Sequence, residues 1–319
     1  MKNAPGVVKS TGISKTKSYF TQLIKTMIRY RWMYALLLPG VIYFAVFRYA
    51  PMYGLKIAFQ EYDAFNPAAT TWVGLAQFEK LFSSISFPHV FKNTLTISLW
   101  KLLFGFPAPI ILAILINEFR SLRYKKLVQT ALYLPHFISW VILSGIIMTF
   151  VNPTTGLITQ AIMAMGGPRV EFLTSQQLFV PLLVVTEIYK SMGWGTIIYF
   201  AAISSVEADQ YEAAIIDGAN RFQQAIHITL PSIKPTIVVV FILNLGNILN
   251  AGFDQVFMLY SPLVYEVADI IDTFVFRKGI LEASYSFSAA AGMFKSVIAL
   301  VFILTANKLA KRFTDAGLW

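Results

Sequence analysis

The side chains best suited to bind a polar ligand lie inside apolar segments of this 319-residue sequence. Asn244, Asn247, Asn250 and Asp254 follow one another at steps of three, three and four residues. At about 100° per residue, a continuous helix would place all four on one face. Amides in such a segment either join neighbouring helices or line a water-filled path. Asn244, Asn247 and Asn250 are therefore candidate residues of a path.

A second polar group lies in the apolar segment that precedes these asparagines. Its members are Glu187, Tyr189, Lys190, Trp194 and Tyr199. An ionisable residue at that depth is costly unless it faces a cavity or an opposite charge. Lys190 therefore either meets an acidic ligand or a protein carboxylate, or forms an intrahelical pair with Glu187 three residues earlier. Tyr189, Lys190 and Trp194 join the candidate path residues.

Two further lysines, Lys101 and Lys295, also lie in apolar segments. Lysine can extend its charged end from such a segment to the membrane surface, and we expect both to do so.

The sequence contains no recognisable catalytic or metal-binding pattern. His89, His136 and His227 lie in different regions without acidic or cysteine companions at ligand spacing, and there is no cysteine. There is no Gly-x-x-x-x-Gly-Lys-Ser/Thr phosphate loop, so this chain is not predicted to hydrolyse ATP itself. No nucleophile elbow or pair of catalytic carboxylates occurs in a loop. We therefore predict no catalytic residues and no metal site.

The composition places these residues in a membrane protein. Hydrophobic residues make up 56% of the chain and charged residues 13%, and the mean hydropathy is +0.62. Six segments can each cross an apolar layer about 30 Å thick, which takes roughly 20 helical residues. They are residues 33–53, 93–116, 128–151, 178–204, 235–257 and 288–307. We predict an all-α, polytopic membrane protein with six transmembrane helices.

The distribution of charge predicts the orientation. The residues before the first span include seven basic side chains and no acidic one: Lys2, Lys9, Lys15, Lys17, Lys25, Arg29 and Arg31. Basic segments stay on the cytoplasmic side, so the N-terminus should be cytoplasmic, and an even number of spans returns the C-terminus there. The net charge of +10 is then explained by orientation and by the lipid bilayer rather than by nucleic acid.

The spans divide the chain into four parts. Residues 1–32 form a basic cytoplasmic segment with an amphipathic part from about 19 to 32, and 33–92 hold the first span and an outer loop. Residues 93–307 form a five-helix unit, and 308–319 form a cytoplasmic tail. Pro107, Pro109 and Pro135 should bend their helices around a cavity.

The loop 206–233 between the fourth and fifth spans is polar and contains a helix-forming pattern. Asp209 and Glu212 have the spacing of a variant capping box, and Gly218 can take a positive φ and end a short helix. Small residues keep one side flat, while Glu212 and Asp217 carry charge. We predict a site where a partner protein binds, formed by Glu212, Ala213, Ala214, Asp217, Gly218, Ala219, Ile228, Leu230 and Pro231. The alternative is an ordinary interfacial helix.

The spacing Glu-Ala-Ala, Asp-Gly-Ala and Ile-x-Leu-Pro resembles the coupling loop of permease subunits in binding-protein-dependent ABC importers. The remaining matches resemble the LplB type of sugar permease, which is similar to MalF and MalG. These matches are Leu38–Gly40, Tyr49–Gly54, Trp72–Leu75, Asn93–Leu95, Phe104–Pro109, Tyr133–Phe137, Gly193–Gly195, Asn250–Gln255, Ala268–Thr273 and Gly317–Trp319. Ile215 and Ile216 are bulkier than the residues usual in the loop but keep its spacing.

The resemblance implies a MetI-like permease core of five helices plus an N-terminal helix. It also implies a complex in the bacterial inner membrane with a second permease chain, usually a different one, two ABC ATPase subunits and an extracytoplasmic sugar-binding protein. The ATPase subunits would bind ATP and Mg, and the substrate would be an oligosaccharide such as an alginate or pectin fragment. The alternatives are an ion-coupled secondary transporter that uses Glu187 and Lys190, and a membrane-embedded enzyme acting on lipid-linked sugars.

Overall fold

The computed structural model describes residues 25–119 and 121–314, which are almost entirely helical. The α-helices are α1 (Arg31–Phe44), α2 (Ala76–Ser83), α3 (Ser86–Gly105), α4 (Pro107–Asn117), α5 (Leu122–Tyr133), α6 (Trp140–Phe150), α7 (Leu157–Ala164), α8 (Gln176–Ser204), α9 (Ala208–Ile216), α10 (Arg221–Gln224), α11 (Leu230–Ser232), α12 (Lys234–Gly246), α13 (Phe253–Leu259), α14 (Tyr265–Ala268), α15 (Ile271–Phe276) and α16 (Tyr285–Thr314). Predictions for residues 1–24 and for the Gly317–Trp319 match lie outside the described residues.

Shorter elements connect these helices. Tight 3-10 turns cover Ala50–Phe59, Pro67–Ala69, Leu134–Phe137 and Pro262–Val264, and wider π-helical turns cover Ala45–Tyr49, Ala225–Thr229 and Arg277–Leu281. Strands β1 (Gln60–Glu61) and β2 (Thr71–Trp72) pair antiparallel, with Gln60 opposite Trp72 and Glu61 opposite Thr71. The Phe59 ring stacks on Trp72 at 5.7 Å, so aromatic contact reinforces this small hairpin.

The chain divides into two compact units between Lys56 and Ile57. In the first unit, α1 includes Pro39 and continues without interruption into the π-helical turn that follows it. The second unit contains α2 to α16 and all of the candidate site residues.

Among the described residues, three helical runs are long and apolar enough to cross a bilayer: Arg31–Phe59, Ser86–Asn117 and Tyr285–Lys308. Two bent pairs meet the same requirement: Leu122–Phe137 with Trp140–Phe150, and Arg221–Ser232 with Lys234–Gly246. By length and composition there are thus three to five candidate spans. These findings confirm an all-α polytopic protein. The predicted span 178–204 corresponds to the 29-residue α8, whose central polar residues lower its hydropathy.

Two predicted helices are interrupted. Pro135 lies in the 3-10 turn that follows α5, and the chain bends by 102° just after this turn, between Phe137 and Trp140, so the predicted bend of this span is confirmed. The predicted span 235–257 is wrong as a single helix, since α12 ends at Gly246 and the chain resumes in α13. Gly252 has φ +90°, a left-handed conformation that no continuous helix contains.

Helix α8 is central to the second unit, where it packs against α3, α4, α5 and α14. Two glycines in α8 permit this. A Cβ on Gly193 would lie 1.9 Å from the carbonyl oxygen of Leu132 in α5, and one on Gly195 would lie 2.9 Å from Pro109 in α4. Small residues let helices approach closely in a membrane, where contact between helices replaces burial from water.

Ion pairs join elements of the predicted outer region. The Arg277 guanidinium donates hydrogen bonds of 3.2 and 2.5 Å to the buried carboxylate of Asp269, and this bonding raises the pKa of Arg277 above its usual value. Lys295 donates to Asp272 at 2.6 Å. The expected extension of Lys295 to the membrane surface is therefore wrong, because an acidic partner is available within the second unit.

Candidate functional site

A cavity of about 500 Å³ lies between α3, α4, α8 and α12. The predicted residues Asn244, Asn247, Asn250 and Trp194 all contribute to its wall, as do Glu187 and Tyr199. Their side chains supply amides, a carboxylate and aromatic rings, which together suit a ligand rich in hydroxyl groups. The structure therefore brings most of the predicted path residues to one place.

The first two asparagines are oriented by their own helix. The Asn244 amide donates to the carbonyl oxygen of Val240 at 2.8 Å, and the Asn247 amide donates to that of Leu243 at 3.2 Å. Each amide group keeps a second donor hydrogen and an acceptor oxygen for other partners. These side chains can thus bind a ligand while their orientation is held.

The reason why the asparagines come together differs from the prediction. They do not share one helical face, because Asn244 is in the last turn of α12, Asn247 is its C-cap and Asn250 follows in the break. Asp254 lies in α13, exposed and away from the cavity wall. Because the helix is interrupted between Gly246 and Phe253, its periodicity does not continue to Asp254, and the predicted place of Asp254 beside the asparagines is wrong.

Only one face of α8 reaches the cavity. Glu187, Ser191 and Trp194 have the spacing i, i+4 and i+7 and line the wall, as helical geometry requires for one face. Tyr189 and Lys190 are rotated away from this face and do not line the cavity. The prediction that they belong to this path is not supported by their position.

Lys190 instead satisfies the bend between α5 and α6. Its ammonium donates to the carbonyl oxygens of His136 at 2.8 Å and Ile138 at 2.5 Å, with that of Pro135 at 3.4 Å. A sharp bend frees backbone carbonyls that must be bonded inside a membrane protein. The alternative pair of Lys190 with Glu187 is therefore wrong, because each residue has a different partner.

The partner of Glu187 is Lys101 of α3, with Glu187 Oε2 at 3.7 Å from the lysine Nζ. Lys101 also lines the cavity and does not extend to the membrane surface as expected. The sequence did contain a signal, since an acidic and a basic residue occur at comparable depth in two apolar segments. Trp140 of α6 is a second wall residue that the sequence reasoning missed.

An aromatic stack supports the cavity wall near the bend. The His136 ring lies parallel to the Trp194 indole, with centroids 4.6 Å apart and planes 3° apart. Phe137 meets the same indole edge-on at 5.5 Å. Contact on two sides restricts the rotation of Trp194, so the indole forms a rigid part of the wall.

The second candidate site is the loop between α8 and α12, where α9 ends in a defined geometry. Gly218 has φ +80°, its backbone N–H donates to Ile215 O at 3.0 Å, and the N–H of Ala219 donates to Ala214 O at 2.8 Å. These two bonds form a Schellman motif, which commonly ends helices at a glycine. The predicted role of Gly218 in ending the helix is confirmed.

The predicted start of that helix is wrong. Helix α9 begins at Ala208 with Glu207 as N-cap and without a capping bond from that side chain, so Asp209 and Glu212 lie inside the helix. The capping box forms at α10 instead, where the Asn220 side chain accepts from Gln223 N–H and the Gln223 side chain accepts from Asn220 N–H. Both helices of the loop are therefore closed at the turn between them.

Side-chain bonds join α9 to the π-helical turn Ala225–Thr229, and α10 to the turn that precedes it. The Tyr211 and Thr229 hydroxyl groups share a hydrogen bond of 2.9 Å, and the buried Gln224 amide donates to Ala219 O at 2.9 Å. Arg221 lies 3.4 Å from Glu118, just after α4. A displacement of the loop would thus be transmitted to the helices on either side of it.

One surface of the loop 206–233 is exposed to solvent. Glu212, Ala213, Asp217 and Gly218 are exposed, and Ile216 is 85% exposed. A concavity of about 280 Å³ lies at the turn, and the predicted residues Ala214, Asp217, Gly218, Ala219 and Ile228 line it. Leu230 and Pro231 instead line a separate apolar groove with residues of α4. Seven of the nine predicted residues therefore line one of two concavities, while Glu212 and Ala213 lie on the exposed surface of α9.

Comparison with known proteins identifies the family to which this architecture belongs. Residues 105–315 match the family described as binding-protein-dependent transport system inner membrane component. The chain belongs to this family. It is therefore a permease subunit, which is a membrane component of a transport system and not a catalytic enzyme.

Two relatives of this permease come from Bacillus subtilis (strain 168). Protein LplB is 43% identical over 319 residues, which cover 100% of this chain and 98% of the relative. The polygalacturonan/rhamnogalacturonan transport system permease protein YteP is 42% identical over 299 residues, 93% of each chain. Both likenesses extend over the candidate cavity and the loop.

A solved structure shares the fold. The permease resembles a chain from the crystal structure of a bacterial ABC transporter involved in the import of the acidic polysaccharide alginate, with a TM-score of 0.85 and 45% identity. The similarity covers 92% of this permease and 99% of that chain. It supports the predicted MetI-like arrangement of helices.

Proposed function

We propose that this permease is one of two membrane subunits of an ABC importer that carries an oligosaccharide into the cytoplasm by alternating access. The observation that carries the proposal is the loop 206–233, a braced helix pair with an exposed face of small and charged residues. A loop of this kind is suited to fit into a partner subunit and to move with it. The relatives, which include oligosaccharide permeases, support the substrate class.

The energy would come from two separate ABC ATPase subunits that bind ATP and Mg. Their closure would carry the face formed by Glu212, Ala213 and Gly218 inward. Because bonds join α9 to the π-helical turn that continues α10, and α10 to the end of α4, the spans would tilt with the loop. The equilibrium between inward-open and outward-open states would then depend on the nucleotide.

The cavity between α3, α8 and α12 would hold the sugar during this change. Asn244, Asn247 and Asn250 offer amide donors and acceptors, and Trp194 offers a rigid ring face. A second permease chain, different from this one, would complete the path, and an extracytoplasmic binding protein would deliver the sugar. An alginate or pectin fragment is the substrate that the named relatives favour.

The basic N-terminal segment supports an orientation in the bacterial inner membrane with both termini in the cytoplasm. In that orientation the loop 206–233 faces the ATPase subunits, and the hairpin of β1 and β2 faces the binding protein.

A charge reversal in the loop tests the proposal. In the complete complex reconstituted in liposomes, Glu212→Lys should abolish sugar-stimulated ATP hydrolysis and uptake, because it places a cation on the surface where the ATPase binds. Glu79→Lys controls for the charge reversal itself: Glu79 is also exposed but lies in α2 outside the loop, so this variant should keep the ATPase subunits bound through purification, whereas Glu212→Lys should lose them. Full uptake by the Glu212 variant would contradict the coupling role of this surface.

The competing function is an ion-coupled secondary transporter, for which a charged pair inside the bundle would carry the ion. Glu187 faces the cavity and would be its central residue. This alternative predicts uptake driven by an ion gradient in liposomes that contain the permease chains without any ATPase. Such uptake, lost in Glu187→Gln, would replace the proposal.

A further inference from the structure

The break between α12 and α13 depends on contacts from outside its own segment. Residues 247–252 make short-range bonds, such as Asn250 N–H to Asn247 O at 2.8 Å, and Gly252 then takes φ +90°. The interruption leaves the carbonyl of Ala251 outside any helical ladder, although Ala251 is fully buried. A buried carbonyl without a donor is costly, so this group needs a partner.

Lys101 is that partner, and it bonds both sides of the break. Its ammonium donates to Ala251 O at 2.7 Å and to the side-chain oxygen of Gln255 in α13 at 2.5 Å. Gly252 lies between these two residues, and a Cβ there would come within 2.8 Å of the ammonium. The backbone at Gly252 therefore also leaves room for the cation.

The fully buried Gln255 extends the contact to α8. Its amide donates to Leu183 O and to Thr186 Oγ1, both at 2.8 Å. Lys101 and Gln255 thus connect α3, the break and α8 by hydrogen bonds: Lys101 donates to Gln255, and Gln255 in turn donates to α8. A buried network in which each member is bonded defines one arrangement of its helices.

Glu187 contributes charge to this network rather than geometry. At 3.7 Å from Lys101 Nζ its carboxylate is beyond hydrogen-bond distance, and its other oxygen accepts from Ser191 at 3.0 Å. The two residues balance each other in charge at the cavity wall. The shape of the break therefore follows from the bonds of Lys101 to Ala251 and Gln255.

We propose that Lys101 is a positioning residue whose ammonium holds the break between α12 and α13, so that Asn247 and Asn250 face the sugar path. This inference rests on the proposed function, because it gives the asparagines their role in binding sugar. Lys101 acts through the break and need not touch the sugar itself. Its removal should impair the transport step while the loop 206–233 keeps its structure.

The test compares two variants of Lys101 with two control variants in the complete reconstituted complex. Lys101→Met should lower the maximal rate of uptake per assembled complex by roughly tenfold, as expected when a buried carbonyl loses its donor. The concentration of loaded binding protein that gives half-maximal uptake should change less than about twofold, because that protein would bind on the outer surface. Lys101→Arg, which keeps two donors, should recover most of the rate.

Two controls separate this role from charge balance. Glu187→Gln removes the charge but leaves the bonds to Ala251 and Gln255, so it should lower uptake clearly less than Lys101→Met does, although Glu187 also lines the cavity. Lys295→Met leaves Asp272 unpaired, as Lys101→Met leaves Glu187 unpaired, but Lys295 bonds to Asp272 and not to the break, and it does not line the cavity between α3 and α8. It should lower uptake much less than Lys101→Met does.

Equal losses in Lys101→Met and Glu187→Gln would overturn the inference, because the ion pair would then be the important contact. Unchanged uptake in Lys101→Met would overturn it as well. Neither result would affect the proposed function if Glu212→Lys still abolished uptake. Conversely, uptake without ATPase subunits would reject the proposed function even if Lys101→Met impaired that uptake.

Discussion

The substitution Gly218→Ala tests the loop with the smallest change of structure. Gly218 has φ +80°, and a Cβ added there would have no atom within 4 Å among the described residues. Alanine therefore meets no steric contact and brings only the cost of a left-handed conformation. That conformation is the one which closes α9 through its two terminal hydrogen bonds.

The expected magnitude follows from this conformational cost. A left-handed backbone costs an alanine roughly 1–2 kcal/mol relative to glycine. The same amount of free energy changes an equilibrium by a factor of about 5–30. If the ATPase subunits bind the loop only when α9 ends in this left-handed conformation, their apparent affinity for the permease should fall by a factor in this range.

The assay is a titration of detergent-solubilised ATPase subunits against liposomes that contain the permease chains, followed by the sugar-stimulated ATPase rate. Gly166→Ala is the matched control, because Gly166 has φ +83° with nothing within 4 Å but follows α7 rather than α9. Both variants should lose similar thermal stability, whereas only Gly218→Ala should need more ATPase for half-maximal activity. Gly218→Asn should lose less than Gly218→Ala, since asparagine tolerates this conformation better.

Equal half-maximal ATPase concentrations for the two alanine variants would show that ATPase binding does not depend on the conformation in which α9 ends. A loss in Gly218→Asn as large as that in Gly218→Ala would also argue against backbone strain as the cause.

Three further predictions concern the packing of the bundle and are measured as the melting temperature of the purified complex. Gly193→Ala should lower the stability of the complex by about 1–3 kcal/mol or more, because its Cβ would overlap the carbonyl of Leu132 in α5. Gly145→Ala in α6 meets open space and should be neutral or stabilising. Equal losses of stability in the two variants would argue against close packing at Gly193. Arg277→Met should lower stability by about 3–5 kcal/mol, because the buried carboxylate of Asp269 loses its cationic partner. Lys278→Met removes a more exposed ion pair and should lower stability by less than about 1 kcal/mol. Similar shifts of the melting temperature in the two variants would contradict this difference. Gln224→Leu should lower stability by about 1–3 kcal/mol, because the carbonyl oxygen of Ala219 loses its donor. The variant should also lower ATPase-coupled uptake. Unchanged uptake would show that the bond from Gln224 to Ala219 is not needed for coupling.

The sequence predicted the members of the cavity better than it predicted their geometry. Polar amide side chains are rare in an apolar segment, so Asn244, Asn247 and Asn250 could be identified as candidates from residue type alone, without the backbone conformation. Helical periodicity applies only to a continuous helix, and no residue near Gly252 indicates that its backbone is left-handed rather than helical. The position of Asp254 was wrong for that reason.

Bonding partners that are distant in the sequence were not predicted. Glu187 and Lys190 are three residues apart, so a local rule favoured their pairing, yet Glu187 faces Lys101 of α3 and Lys190 bonds the carbonyls near Pro135. Such choices depend on how helices pack, which a single sequence does not specify. The end of α9 could be predicted because Gly218 acts through its own backbone.

Uptake with and without the ATPase subunits decides whether this permease works as part of an ABC importer. Liposomes with both permease chains and the loaded binding protein are compared with and without the ATPase subunits, with ATP enclosed on their side. Labelled oligosaccharide should accumulate only when the ATPase subunits and ATP are both present. Accumulation of the sugar in liposomes without the ATPase subunits would show that the permease does not depend on an ATPase.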